Sequence, residues 1–156
     1  MPATGKRFRP FSQRGANGID GTLSLARGVA GGLKSPLWLV TGDLAFLHDG
    51  NGLLGAADDN SGLFVVLVNN HGGGIFELLP VAQRCQKFEK LYATPQNVDL
   101  SKLVAAHGGH HQVCENLDSL ESAICSWDGE GLVVAEIRVD RKLSKELHKR
   151  LLVMKD

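Results

Sequence analysis

Two short apolar runs constrain this chain more than any other feature, because each ends abruptly in oxygen-bearing side chains. Leu37 to Val40 is followed by Thr41-Gly42-Asp43, and Leu63 to Val68 by Asn69-Asn70. The second run is continuous and rich in β-branched residues, as buried strands of a parallel sheet are. If both runs are neighbouring parallel strands, Asp43 and Asn70 emerge together at the carboxyl edge of the sheet. Open α/β sheets bind their ligands at that edge. A carboxylate and an amide supply hard oxygens, which suit Mg2+ or Ca2+ and suit softer metals poorly. Mg2+ held by so few protein groups usually fills its remaining positions with phosphate oxygens. The pattern reads as a metal-plus-diphosphate site; the plainer alternative is turn chemistry, since Asp and Asn are common after strands.

The remaining segments alternate between helix and strand patterns. Residues 1–9 read as a flexible lead-in and residues 10–156 as one domain, with a short strand over Pro10 to Gln13. Ile19, Leu23, Ala26, Val29, Ala30 and Leu33 recur at helical spacing, and Gly31-Gly32 would fray that helix before Pro36. Leu44 to Ala57 is expected to be helical despite Gly50 and Gly52. Gly72-Gly73-Gly74 marks a loop whose backbone either approaches another group closely or takes positive φ. Asp99 is a good N-cap for a helix to His107, which Gly108 would end. A short strand at Gln112 to Cys114, a helix at Leu117 to Trp127, a strand at Leu132 to Val139 and a final helix at Ser144 to Met154 complete the series. This alternation predicts an α/β fold: a doubly wound, mostly parallel sheet with helices on both faces.

Bulk composition narrows the function classes. Lys plus Arg and Asp plus Glu are 17 each, which removes any electrostatic case for nucleic acid or an anionic membrane. Cys85, Cys114 and Cys125 form an odd set with no CxxC spacing, as expected of reduced thiols in the cytoplasm. No apolar run approaches the roughly 20 residues of a membrane span. The opening MPATGKRFRPF has basic residues without a following apolar stretch, so it is not read as a secretory signal, and it is too short for a transit peptide.

Four longer words surround the two runs: QRGANGIDGTLS at Gln13 to Ser24, GDLAFLHDGNGLL at Gly42 to Leu54, NNHGGGIFELLP at Asn69 to Pro80, and ATPQNVD at Ala93 to Asp99. The GD…NN pair, with Asn70 placed 70 − 43 = 27 positions after Asp43, resembles the diphosphate-binding signature of thiamine-diphosphate enzymes. With the flanking words it looks like the C-terminal domain of the 2-succinyl-5-enolpyruvyl-6-hydroxy-3-cyclohexene-1-carboxylate synthase family of menaquinone and phylloquinone biosynthesis. The likeness runs from about Pro10 to the end and is strongest through Pro80. It departs at His71, where the family commonly has a third Asn.

The resemblance implies thiamine diphosphate and Mg2+ as cofactors. Asp43 and Asn70 would give side-chain oxygens and Gly72 its backbone carbonyl to the metal, with Gly42 and Leu44 beside them against the cofactor. Ile19 would prop the cofactor into its bent form, with the backbone of Gly18 facing the pyrimidine; by spacing, Ile19 reads equally as the first core residue of a helix. Arg14 would grip a substrate carboxylate, for which Arg has the planar fork. Ile75, Phe76 and Leu79 would form an apolar active-site wall, or else simply pack in the core. The implied reaction decarboxylates 2-oxoglutarate and adds the succinyl carbanion equivalent to isochorismate. Members of the family are longer chains with a pyrimidine-binding domain upstream, whose Glu contacts the cofactor ring. The expectation is therefore a portion or subunit of such an enzyme, inactive by itself and homo-oligomeric when complete.

Other readings stand beside this one. The chain could be the diphosphate-binding subunit of another 2-oxo acid decarboxylase, or a non-catalytic truncated domain. His107 and His111 are spaced i, i+4, but Gly108-Gly109 breaks the helix that zinc ligation would need. His48 and His71 have no evident proton-transfer partner, and the KLSKELHKR run reads as a solvated helix face.

Overall fold

The computed structural model describes residues 9–12, 18–56 and 61–153. Four parallel strands form its sheet among the described residues, in the order β1-β2-β4-β3. They are β1 (Leu37–Gly42), β2 (Leu63–Asn69), β3 (His110–Val113) and β4 (Leu132–Arg138). The helices are α1 (Thr22–Leu33), α2 (Asp43–His48), α3 (Val81–Arg84), α4 (Leu100–Ala106), α5 (Leu117–Ser126) and α6 (Arg141–Val153).

Alternation along each strand sorts side chains to two faces. Leu63, Val65 and Leu67 of β2, with Leu132 and Val134 of β4, pack against Leu23 and Ala26 of α1, Phe46 of α2, and Leu100 and Val104 of α4. The alternate residues Phe64 and Ala135 meet Ala123, Leu120 and Ile124 of α5 on the opposite face. Each fully buried Leu or Phe contributes roughly 1.5–3 kcal/mol, so both layers matter to stability. Trp38 of β1 stacks on Phe64 at 4.8 Å between centroids, and Trp127 closes the group edge-on. The sheet is thus α/β with helices on both faces, as expected, and wholly rather than mostly parallel among the described residues.

Local chemistry moved several boundaries. The first helix begins at Thr22 rather than Ile19, because Gly21 sits in the left-handed region at φ 68° and cannot extend an α-helix backwards. The helix expected over Leu44 to Ala57 is only α2, followed by a 3-10 turn at Gly50–Leu53. The glycines there offer little helical propensity; Ala57 itself lies outside the described residues. No regular structure forms at residues 10–12, and Gln13 is likewise outside. Two turns escaped the sequence reading: a 3-10 turn at Gly74–Leu78 and a π-turn at Glu89–Ala93. Asp99 caps α4 as expected, accepting a hydrogen bond from Lys102 N at 3.2 Å. The final helix starts three residues early because Asp140 Oδ1 accepts from the amides of Lys142 and Leu143, both at 2.8 Å. All three cysteines are free thiols.

The first turn of α1 has no cap on its own chain segment. Asp49, just after α2, supplies one: its carboxylate accepts from Ser24 N at 2.7 Å and Ser24 Oγ at 3.0 Å. Arg27 of α1 reaches back to the carbonyls of Gly52 and Leu54. These bonds join the GIDGTLS and GDLAFLHDGNGLL words into one unit. Asp49→Ala is expected to lower stability by about 1 kcal/mol, the usual value of a helix cap, measured as a shifted urea midpoint with an unchanged slope.

Candidate metal centre

Parallel registry brings the two predicted ligand positions together. Gly42 of β1 pairs with Val68 of β2, so β2 ends one residue beyond β1 and the residues that follow both strands leave from the same edge. The chain turns at once into α2, which makes Asp43 the first helical residue. Asp43 is 5% exposed, and its Oδ2 accepts from Gly72 N at 2.7 Å. Burial raises its pKa above the usual carboxylate value, opposed by hydrogen bonds from the Gly72 and Leu44 amides. A buried carboxylate in such a place calls for a positive partner.

Asn70 completes the cluster. Its side-chain oxygen position lies 2.5 Å from the Gly72 carbonyl and 3.2 Å from Asp43 Oδ1. Three acceptors therefore converge with no proton between them, unless the amide turns over and its nitrogen donates to both. With a hard cation among them the oxygen faces inward, and the donor set is the carboxylate, amide and carbonyl oxygens that Mg2+ takes. Asp43, Asn70 and Gly72, the three predicted ligands, are thus brought together by the fold; turned over, the Asn70 amide donates to the other two, and with its oxygen inward the set would suit a hard cation.

The glycine run is explained by what stands behind it. Gly72 has φ 126°, and a side chain there would collide with the Ala93 carbonyl of the π-turn. Gly73 N donates to that same carbonyl at 2.7 Å. Both features expected of this run, close approach and positive φ, are present. His71 sits between the ligands at φ 57°, a region that His tolerates better than most non-glycine residues. Its side chain is exposed.

The other predicted site residues are less gathered. Gly42 and Leu44 flank Asp43 directly. Gly18 and Ile19 lie exposed just before α1, near the far end of α2, where Asp20 and His48 lie 3.8 Å apart. Ile75 is 72% exposed, and Phe76 and Leu79 are exposed as well. Phe76 meets the edge of Tyr92 at 5.8 Å. None of the four apolar residues Ile19, Ile75, Phe76 and Leu79 belongs to the core formed by the described residues. Arg14 lies outside the described residues. His107 caps α4 while His111 belongs to β3, so the i, i+4 histidine pair shares no helix.

Sequence reasoning missed two charged residues at this edge. Glu136 of β4 is 1% exposed and accepts from Asn69 Nδ2 at 2.7 Å and from Arg138 Nε at 3.0 Å, with His111 Nε2 also 3.0 Å away. Burial pushes its pKa up, but the bonds from Arg138, Asn69 and His111 outweigh that and hold it below the usual value. A cleft of about 710 Å3 opens over Asn69, His111, Glu136 and the first turn of α4. An acid inside the apolar run LVVAEIRV was the available signal. The second residue is Arg141, immediately before the basic run read as a solvated face, and its guanidinium is largely buried.

The chain has counterparts among known proteins. Residues 6–137 match the sequence model of the thiamine pyrophosphate enzyme C-terminal TPP binding domain. The chain belongs to this family of thiamine pyrophosphate enzymes, and the match covers their C-terminal TPP-binding domain. Among curated proteins it is 46% identical over 142 residues to the 2-succinyl-5-enolpyruvyl-6-hydroxy-3-cyclohexene-1-carboxylate synthase of Crocosphaera subtropica, covering 91% of this chain and 24% of that protein. The synthase of the same name from a Synechococcus strain is 48% identical, covering 90% of this chain and 24% of that one, and the one from Bacillus velezensis is 42% identical, covering 94% and 26%. The chain thus spans about a quarter of the length of these relatives. Benzoylformate decarboxylase from Polynucleobacter necessarius superposes with a TM-score of 0.63 at 18% identity, over 79% of this chain and 23% of that one, which speaks to the fold. Among the described residues no helix is long and apolar enough to cross a membrane.

Proposed function

We propose that this chain is the metal- and diphosphate-binding portion of a synthase that decarboxylates 2-oxoglutarate and adds the succinyl carbanion equivalent to isochorismate. The observation that carries the reading is the convergence of the Asp43 carboxylate, the Asn70 amide and the Gly72 backbone at the carboxyl edge of β1 and β2. The relatives' shared name supports the particular reaction. Asp43, Asn70 and Gly72 would hold Mg2+. Thiamine diphosphate, when bound, supplies the electron sink for decarboxylation and carbon–carbon bond formation.

The chain's own residues bind, orient and exclude water. Asp43 gives the metal a fixed negative oxygen whose burial keeps water from competing for it. Gly42 and Leu44 flank the cofactor, and Ile19 with the Gly18 backbone would support and face its pyrimidine side. Ile75, Phe76 and Leu79 form one wall of a dry cleft whose other wall is a pyrimidine-binding domain. Exposed apolar side chains at all three positions suit such a shared boundary. Arg14 would receive a carboxylate of an anionic substrate through its planar fork. The complete enzyme would be a cytoplasmic homo-oligomer of the menaquinone or phylloquinone pathway.

The test is complementation. The full chain is mixed or co-expressed with the upstream three-quarters of the Crocosphaera subtropica synthase, with Mg2+ and thiamine diphosphate. Carbon dioxide release from 2-oxoglutarate coupled to consumption of isochorismate is expected. Release that proceeds equally well without isochorismate would make the chain part of a simple decarboxylase, and no release with an otherwise folded complex would overturn the enzymatic reading.

A further inference from the structure

We infer that Glu136 and Arg141 are positioning residues that grip the ligand turn Asn70–Gly72 from two sides through the peptide groups of His71. The inference rests on the metal reading proposed above and assigns a cause to its geometry. Neither residue reaches a ligand oxygen; both act on the residue between the two ligands.

The first grip runs through Asn69. Its Nδ2 donates to Glu136 Oε1 at 2.7 Å, and its Oδ1 accepts from His71 N at 2.9 Å. Glu136 decides which way this amide faces. A carboxylate only accepts, so Asn69 must turn its nitrogen toward Glu136 and its oxygen toward His71. Glu136 is itself fixed, by Arg138 through two nitrogens at 3.0 and 3.3 Å and by His111 at 3.0 Å.

The second grip is Arg141, the first residue of α6. Its Nη1 donates to the His71 carbonyl at 3.2 Å. Nη2 donates to both oxygens of Glu89, at 2.6 and 2.8 Å. Nε lies 3.2 Å from Glu77 Oε1 as an ion pair, without the alignment of a hydrogen bond. Lys145 adds a second cation to Glu77 at 3.4 Å. One guanidinium therefore ties together the ligand turn, the 3-10 turn carrying Glu77 and the π-turn carrying Glu89. The π-turn in turn presents Ala93 O to Gly73 N at 2.7 Å.

With both peptide groups of His71 held, its left-handed conformation is enforced, and that conformation sets the Gly72 amide on Asp43 and the Gly72 carbonyl beside Asn70. The side chain of residue 71 takes no part in either grip.

The experiment titrates the full chain with Mg2+ at saturating thiamine diphosphate by calorimetry, for wild type, Asp43→Ala, Arg141→Gln, Arg141→Lys, Asn69→Ala and, as a control, Asp49→Ala. Loss of an outer group that orients a ligand typically weakens metal affinity 10- to 100-fold. A rise in the Mg2+ Kd of roughly that size is expected for Arg141→Gln and Asn69→Ala, with a smaller rise for Arg141→Lys. Asp49→Ala should shift the urea midpoint and leave the Mg2+ Kd alone, which separates positioning from general destabilisation. If Asp43→Ala loses binding while folded Arg141→Gln and Asn69→Ala variants bind Mg2+ like wild type, the grip is refuted and the metal reading stands. If wild type binds no Mg2+–cofactor unit, or Asp43→Ala binds it equally well, the metal reading falls and the inference falls with it. Should one variant fail to fold, the other decides, since they break separate grips.

Discussion

Asp43→Ala in the full chain is expected to abolish measurable Mg2+-dependent retention of thiamine diphosphate, raising the apparent Kd by roughly 100-fold or more. The estimate starts from groups that merely orient ligands, whose loss costs about 10- to 100-fold; Asp43 would touch the ion itself. It would also be the sole formal charge among the three proposed ligand groups, since Asn70 and Gly72 offer neutral oxygens. Asp43→Asn adds a sharper test. It keeps the volume and the hydrogen bond to Gly72 N, yet removes the charge that burial disfavours. The cofactor-free Asn variant should therefore be more stable than wild type, by about 1 kcal/mol, while binding the metal far less well. Stability gained as binding is lost is the mark of a site residue rather than a structural one. Calorimetric titration together with urea unfolding reads both. Unchanged cofactor affinity in Asp43→Ala would return this residue to ordinary turn chemistry.

Legibility in the sequence followed physical range. β2 and β4 were readable because a buried parallel strand is apolar on both faces and needs no neighbour to identify it. The proximity of Asp43 and Asn70 was readable because both residues follow the ends of neighbouring strands. Glu136 escaped for the opposite reason. Its meaning depends on Asn69, Arg138 and His111, and two of these lie on other strands whose order is a tertiary fact. Arg141 escaped likewise, since Glu77, Glu89 and the His71 carbonyl are each more than fifty positions upstream. Ile75 shows a different limit. An apolar residue after a glycine run reads equally as core or as exposed wall, and only its 72% exposure excludes the core.

The second large effect concerns the 156-residue chain on its own. Purified with Mg2+ and thiamine diphosphate, it is expected to release no carbon dioxide from 2-oxoglutarate above the uncatalysed background. In the function proposed above, activation of the cofactor falls to a Glu on a separate pyrimidine-binding domain. The two buried acids described in this chain cannot replace it: Asp43 belongs to the proposed metal set, and Glu136 already accepts from Asn69 and Arg138 and pairs with His111. A half-cleft would also leave the reacting centre in water, where charge stabilisation by fixed dipoles is weak. The same incompleteness should appear in solution behaviour. Ile75, Leu78 and Leu79 form an exposed apolar strip after the ligand turn, and Leu143, Leu147 and Leu151 form another along α6. Contiguous apolar surface of this kind promotes association. Sedimentation should accordingly show concentration-dependent assembly, reduced when the upstream portion of a relative is added. Robust turnover by the purified chain would mean that copies of this chain supply the missing acid to one another, and the assignment of that role to a separate domain would have to be abandoned.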